Sequence, residues 1–190
     1  MTAVPVLETE RLVLRGFQPS DREPFMAALA KDEFARTISR EGRALNREEA
    51  WRSMALVNGS WSLEGFGNWV VTLRGCNEPI GRLGPFAPPG WPDFEVGWAI
   101  FPEHQRRGYA VEGAAAALVW CKEALGHDRV VHCILKGNEG SERTAAALGS
   151  RPVRDWSPPW GGDLTFWETR WDNFIRSGPY ARLIDWRAAR

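Results

Sequence analysis

The sequence predicts an α/β (α+β) fold, a mixed central sheet of about seven strands flanked by about four helices. Three observations carry that prediction. Short strand patterns linked by tight turns precede one long helical segment, Gly108 to Leu125. After it comes Val130 to Leu135, almost wholly apolar, as expected of a strand covered on both faces. A helix between two strands implies a parallel crossover, whereas hairpins imply antiparallel neighbours, so the sheet is mixed.

Leu12 to Phe17 reads as the first strand, with Leu12 and Leu14 alternating against Val13 and Arg15. Ser20 with Glu23 three residues later reads as a capping box, opening a helix that runs to about Lys31. Asp32 to Leu45 is polar and reads as a long connection. Asn46 and Glu49 open a second helix carrying Trp51, Met54, Ala55 and Trp61, with Gly65 at its end. Three strands follow: Trp69 to Leu73, Ile80 to Phe86, and Phe94 to Phe101. The last sets Phe94, Val96, Trp98 and Ile100 on one face and Glu95, Gly97 and Ala99 on the other.

In the long helix, Ala110, Ala114, Ala117, Leu118, Cys121 and Leu125 recur at spacings of three and four, and Gly126 stops it. Ser141 opens a short alanine-rich helix to Leu148, closed by Gly149. Arg151 to Trp156 and Leu164 to Trp171 are the last strands, joined by the Pro/Gly loop Ser157 to Asp163. The tail after Asp172 breaks at Ser177-Gly178-Pro179 and ends in a short helix. With no repeat or linker, residues 1–190 read as one domain, with a core at 7–172 and a tail at 173–190.

The composition excludes several function classes. At 44% hydrophobic and 25% charged residues the chain is globular and long enough to need no disulfide or metal. Lys plus Arg (24) equals Asp plus Glu (24), so there is no basic excess for nucleic acid or an anionic membrane. Cys76, Cys121 and Cys133 form no CxxC pair, and His104, His127 and His132 lack metal-ligand spacing, so no metal is expected. The N-terminus has no signal-peptide pattern and no apolar stretch is long enough for a membrane span, so the expected location is cytoplasmic.

The chemistry is expected at Gln105-Arg106-Arg107-Gly108-Tyr109-Ala110, between a strand and a helix. Unsatisfied N–H groups and the dipole of a helix N-terminus bind phosphate. Gly108 permits close backbone approach, Ala110 keeps the first turn open, and Arg106 and Arg107 add charge. A pyrophosphate suits such a loop. The plain alternative is a strand-to-helix turn with a solvated basic pair. By composition, a pattern of Gln or Arg, two free positions, Gly, one free position, then Gly or Ala arises about once per thousand positions, so context decides.

That context resembles the pyrophosphate motif of the GNAT superfamily of N-acetyltransferases. Leu7-Glu8-Thr9-Glu10-Arg11-Leu12-Val13-Leu14-Arg15 resembles the opening of the branch containing the ribosomal-protein N-terminal (alanine/serine) acetyltransferases RimJ and RimL. Glu95 to Ile100 resembles that branch's central strand, Asn138-Glu139-Gly140-Ser141 its N-x-x-S turn, and Ala147-Leu148-Gly149 the helix end that follows. The resemblance covers residues 7 to about 172.

What it implies is a GNAT-like acyl-CoA N-acyltransferase fold with a splayed central strand pair, using acetyl-CoA as co-substrate. Ile100 and Phe101 would offer main chain to the pantetheine arm. The amides of Arg107 to Ala110, within the Gln105–Ala110 motif, would hold the pyrophosphate. Asn138 would bind the pantetheine portion, and Ser141 would protonate the departing thiolate. Each has a structural alternative: an N-cap for Ser141 and an Asx-turn for Asn138. Glu95 reads as the general base or as a partner of Arg82. Near relatives carry an acid after the penultimate strand; here Trp156-Ser157-Pro158-Pro159-Trp160 stands there, and neither Asp155 nor Asp163 matches.

Trp51, Trp61 and Trp120 have core spacing, whereas Trp91, Trp156 and Trp160 lie in or beside loops that wall an acceptor site or form the contact of a homodimer. The implied reaction is acetylation of a small-molecule amine or a peptide N-terminus. A non-catalytic coenzyme A-binding sensor or interaction module on the same fold is the alternative. A nucleotide phosphotransferase is disfavoured because GxxxxGK[ST] is absent.

Overall fold

The computed structural model describes residues 3–159 and 161–190. Among these, eight strands form one sheet: β1 (Leu7–Glu8), β2 (Leu12–Arg15), β3 (Trp69–Leu73), β4 (Pro79–Phe86), β5 (Glu95–Ile100), β6 (Arg129–Leu135), β7 (Arg151–Trp156) and β8 (Leu164–Arg170). The helices are α1 (Arg22–Leu29), α2 (Asp32–Ala35), α3 (Arg47–Glu64), α4 (Tyr109–Leu125), α5 (Glu139–Ala147), α6 (Trp171–Phe174) and α7 (Gly178–Ala188). The spatial order of strands is β1-β2-β3-β4-β5-β6-β8-β7. Only β5 and β6 run parallel, joined by the crossover through α4, and every other pairing is antiparallel.

The mixed α/β architecture is therefore the one expected, with one more strand and two more helices besides the four long ones and the tail helix. The extra strand β1 has two residues and the extra helices α2 and α6 have four each, too short to show a period in sequence. The expected tail helix is α7, opened by Ser177, whose hydroxyl accepts from Tyr180 N–H.

Two local expectations are corrected. The first helical turn is not capped by Ser20. Asp21 plays the organising part instead: its carboxylate accepts from Gln18 N–H and forms a buried two-bond pair with Arg15 of β2. Trp51 is no core residue, being 55% exposed, because α3 turns Ala50, Ser60 and Trp61 inward instead. The Asn46–Glu49 capping box and the left-handed Gly65 stop of α3 are as expected.

Two apolar clusters lie on opposite faces of the sheet. On one, the alanine stripe of α4 (Ala114 to Ala117) packs on Leu12, Leu14, Leu83, Val96 and Ile100. Small side chains let the helix approach closely; a Cβ at Gly113 would lie 2.4 Å from Leu83. Trp61, Trp69 and Trp120 form an edge-to-face triad there, with centroids 5.0 to 5.6 Å apart. On the other face, Phe25, Phe34, Ala35 and Leu45 cover Val70, Ala99 and Phe101. The Asp32 to Leu45 segment thus sits on the face to which Glu95, Gly97 and Ala99 point.

Candidate active site

β5 ends at Ile100, and a short 3-10 turn, Pro102–His104, leads into Gln105–Gly108 and α4. Arg106 has φ +58°, alone among the described non-glycine residues in being positive, and Gly108 has φ +80° as the N-cap of α4. Left-handed residues thus stand on either side of Arg107, and turns with left-handed residues are the kind of backbone that can present N–H groups to an anion. No side chain caps α4, so its first N–H groups and dipole stay available. Arg106 and Arg107 are exposed beside them. The Gln105 amide turns back and donates to Ile100 O at 2.9 Å, tying the loop to the end of β5.

The loop has a brace that sequence reading missed. Glu112, in the first turn of α4, accepts from Thr9 Oγ1 (2.6 Å) and Arg11 N–H (2.8 Å) at Oε1. Its Oε2 accepts from Arg11 Nε at 2.7 Å and Nη2 at 2.6 Å. Arg11 Nη1 also donates to Arg107 O at 3.0 Å, and its guanidinium lies 4.8 Å from the Tyr109 ring centroid. The β1–β2 turn therefore grips both the loop and the helix it opens. About a hundred residues separate the partners, and no local pattern reveals such a contact. With Arg11→Ala we expect coenzyme A affinity to fall about tenfold, because Glu112 loses its guanidinium partner and stands as an uncompensated negative charge beside the candidate anion site. Turnover of S-acetylpantetheine, which lacks the pyrophosphate, should not change.

β5 and β6 share a single registered pair, Glu95↔Val131, and diverge toward their C-terminal ends. Glu95 sits at that junction, 8% exposed. Its Oε1 accepts from Cys133 N–H of β6 at 3.1 Å and its Oε2 from the Trp91 indole at 2.8 Å. Burial pushes its pKa up to about 7, opposed by those two donors and by the Arg82 charge. Arg82 is not its ion-pair partner. It lies opposite Ala99 in β4 and donates to Asn68 Oδ1, and burial lowers its pKa to about 10. Burial and the neighbouring Glu95 raise the pKa of the Cys133 thiol, which stays protonated.

On the far side of the gap, α5 begins at Glu139, two residues before the expected start. Its cap is Asn138, whose Oδ1 accepts from Ser141 N–H at 3.2 Å. Ser141 is the third helical residue and not the cap. Its hydroxyl accepts from the Trp98 indole of β5 at 3.3 Å, linking the two lips of the opening. The Asn138 side chain has its NH₂ group left to donate.

Tryptophans wall the Glu95 side. Trp91 packs edge-on against Phe86 (5.2 Å) and Trp156 (5.9 Å), and Trp156 against Phe166 (5.6 Å). Arg154 covers Phe166 at 3.7 Å. Trp156 thus backs the Trp91 ring whose indole holds the Glu95 carboxylate, whereas Trp160 lies outside the described residues. The adjoining loop is tied by Ser157 to Asp163 (2.6 Å) and by Lys136 N–H to Asp163 O (2.9 Å). Among the described residues no His, Cys, Asp and Glu cluster could hold a metal ion, and no helix is long and apolar enough to cross a membrane.

A family model described as an acetyltransferase (GNAT) domain matches residues 11–151. The uncharacterized N-acetyltransferase YoaA of Bacillus subtilis (strain 168) is 31% identical over 149 residues, 76% of this chain and 82% of its own. The crystal structure of an acetyltransferase from Agrobacterium tumefaciens str. C58 matches with a TM-score of 0.78 at 27% identity, covering 90% of this chain and 96% of that one. Mycobacterium smegmatis RimJ, in complex with CoA-disulfide, matches with a TM-score of 0.71 over 95% and 93% of the two chains. At 15% identity, that likeness is one of fold.

Proposed function

Because the chain belongs to the GNAT acetyltransferase family, we propose that it transfers acetyl from acetyl-CoA to a primary amine by direct attack. The observation that carries this reading is the uncapped N-terminus of α4 with its left-handed loop, standing at the mouth of the β5–β6 opening. Such a site fits a pyrophosphate and leaves room beside β5 for an extended arm. Acetyl-CoA supplies the activated thioester.

This chain's residues supply binding and proton transfer. The amides of Arg107 to Ala110 hold the pyrophosphate, the main chain at Ile100 and Phe101 pairs with the pantetheine arm, and Asn138 donates to that arm. As the N–C bond forms and the C–S bond breaks, Glu95 takes the amine proton and Ser141 gives one to sulfur. A carboxylate with a pKa near 7 is poised for that exchange at neutral pH. Holding both reactants in one opening makes attack effectively unimolecular. An α-amine, with a pKa near 8, is roughly 10% neutral at pH 7, whereas a lysine is under about 0.1% neutral. A peptide N-terminus or a small α-amine is therefore the acceptor we favour. The aromatic wall of Trp91 and Trp156 suits it better than a polyamine, for which a dense acidic cluster would be needed.

Competition at pH 7.5, with acetyl-CoA in excess and products read by mass spectrometry, tests the acceptor. Short peptides and small α-amines should be acetylated ahead of spermidine. Preference for the polyamine would overturn this acceptor assignment. For Ser141→Ala, we expect kcat to fall about tenfold or more with coenzyme A affinity nearly unchanged. The melting temperature should barely move, because the helix cap is Asn138.

A further inference from the structure

The point where β5 and β6 part is defined by a missing hydrogen bond whose two halves are both satisfied by side chains. With Glu95 paired to Val131, the ladder begins normally: Val131 N–H donates to Phe94 O at 3.0 Å. Parallel pairing calls next for Cys133 N–H to reach Val96 O. That bond is replaced. The Cys133 N–H goes to Glu95 Oε1 (3.1 Å), and Val96 O is bonded by His132 Nδ1 at 2.6 Å. Buried peptide groups left unpaired would favour closing the strands, and here neither is unpaired.

The chemistry fixes the histidine's state. A carbonyl only accepts, so Nδ1 carries the hydrogen, and in the neutral ring Nε2 accepts. Nε2 lies 2.8 Å from Thr169 Oγ1, which donates to it and in turn accepts from Ser150 Oγ at 2.5 Å. All three side chains are buried: His132 is 1% exposed, Thr169 3% and Ser150 6%. Burial lowers the His132 pKa to about 4, so the ring is neutral throughout the physiological range. Its ring also packs against Trp98 at 4.7 Å, the residue whose indole reaches Ser141.

We propose that His132, oriented by Thr169 and Ser150 and acting with Glu95, is a positioning residue that holds β5 and β6 apart for the acyl-pantetheine arm. This rests on the reading that coenzyme A occupies the opening. A merely structural histidine would affect folding alone, whereas this role singles out one part of the ligand. 3′-Phosphoadenosine 5′-diphosphate retains the pyrophosphate of coenzyme A and lacks the arm, so it separates the two.

The experiment measures the affinity of both probes by calorimetry for the wild type, His132→Leu, His132→Asn and Thr169→Val. We expect the leucine variant to bind coenzyme A about tenfold more weakly and the diphosphate within about twofold of wild type. Asparagine can still donate to Val96 O and should recover most of the loss. Thr169→Val should weaken coenzyme A binding about threefold, because the imidazole loses the donor that orients its ring and Nε2 is left without a partner. The last two variants carry the test if the leucine protein does not fold. Nitrogen-15 NMR of the imidazole should report the Nδ1–H form from pH 5 to 8. Equal effects on both probes, no effect on either, or the Nε2–H tautomer would overturn the proposal. Wild-type protein that binds neither probe would instead overturn the coenzyme reading, and this inference with it.

Discussion

Replacing Glu95 with glutamine should lower kcat by about a hundredfold or more, the contribution expected of a positioned general base. The acid limb of the rate profile is the sharper readout. Wild-type activity should fall as pH drops below about 7, where Glu95 takes up its proton, and the variant should lack that limb. A matching signature belongs in stability. Burial favours the protonated carboxyl, so its pKa is raised from 4.5 unfolded to about 7 folded. The stability this gives is complete below about pH 4.5 and is lost as pH rises through about 7, by roughly 3 kcal/mol at about 1.36 kcal/mol per pKa unit. Glu95→Gln should lack that decline when denaturant midpoints are compared across the range. If the pH profiles of rate and stability are both unaltered, Glu95 acts only as a strand-bridging acceptor.

Gly108→Val should abolish measurable coenzyme A binding. Valine is β-branched and poorly tolerates φ +80°, and its Cβ would stand 3.3 Å from Arg11 Nη2, within the brace that holds the loop. Wild-type protein at a coenzyme A concentration 100 times its dissociation constant should gain about 2.7 kcal/mol of stability, visible as a higher melting temperature. The variant should melt cooperatively and show no such gain. A variant that keeps the full shift would move the anion site away from the α4 N-terminus.

The long elements were legible because periodicity and glycine punctuation agree. The alanine stripe of α4 ends at a left-handed Gly126, and the Asn46–Glu49 box and left-handed Gly65 bound α3. Two- and four-residue elements lack a period, so β1, α2 and α6 were not visible. Trp51 misled because core spacing was counted without knowing which side of α3 meets a neighbour. In the candidate site, the strand-to-helix loop, Glu95, Asn138 and Ser141 are all residues that the sequence singles out. Their partners are not. The Arg11–Glu112 brace, the Trp91 and Cys133 donors to Glu95, and the His132–Thr169–Ser150 chain join residues far apart in the chain. Such contacts have no local spacing. The short range of sequence signals also explains why Arg82 was offered as a partner for Glu95: the strands are adjacent, but the register sets Arg82 opposite Ala99.

The central claim, acetyl transfer from acetyl-CoA to an amine in the β5–β6 opening, is tested most directly by counting free thiol and acetylated amine in the same reaction. With a peptide bearing a free α-amine, the two products should accumulate one for one, and a peptide with a blocked N-terminus should yield neither. Thiol released without acetylated amine, or neither product from any amine tested, would contradict it.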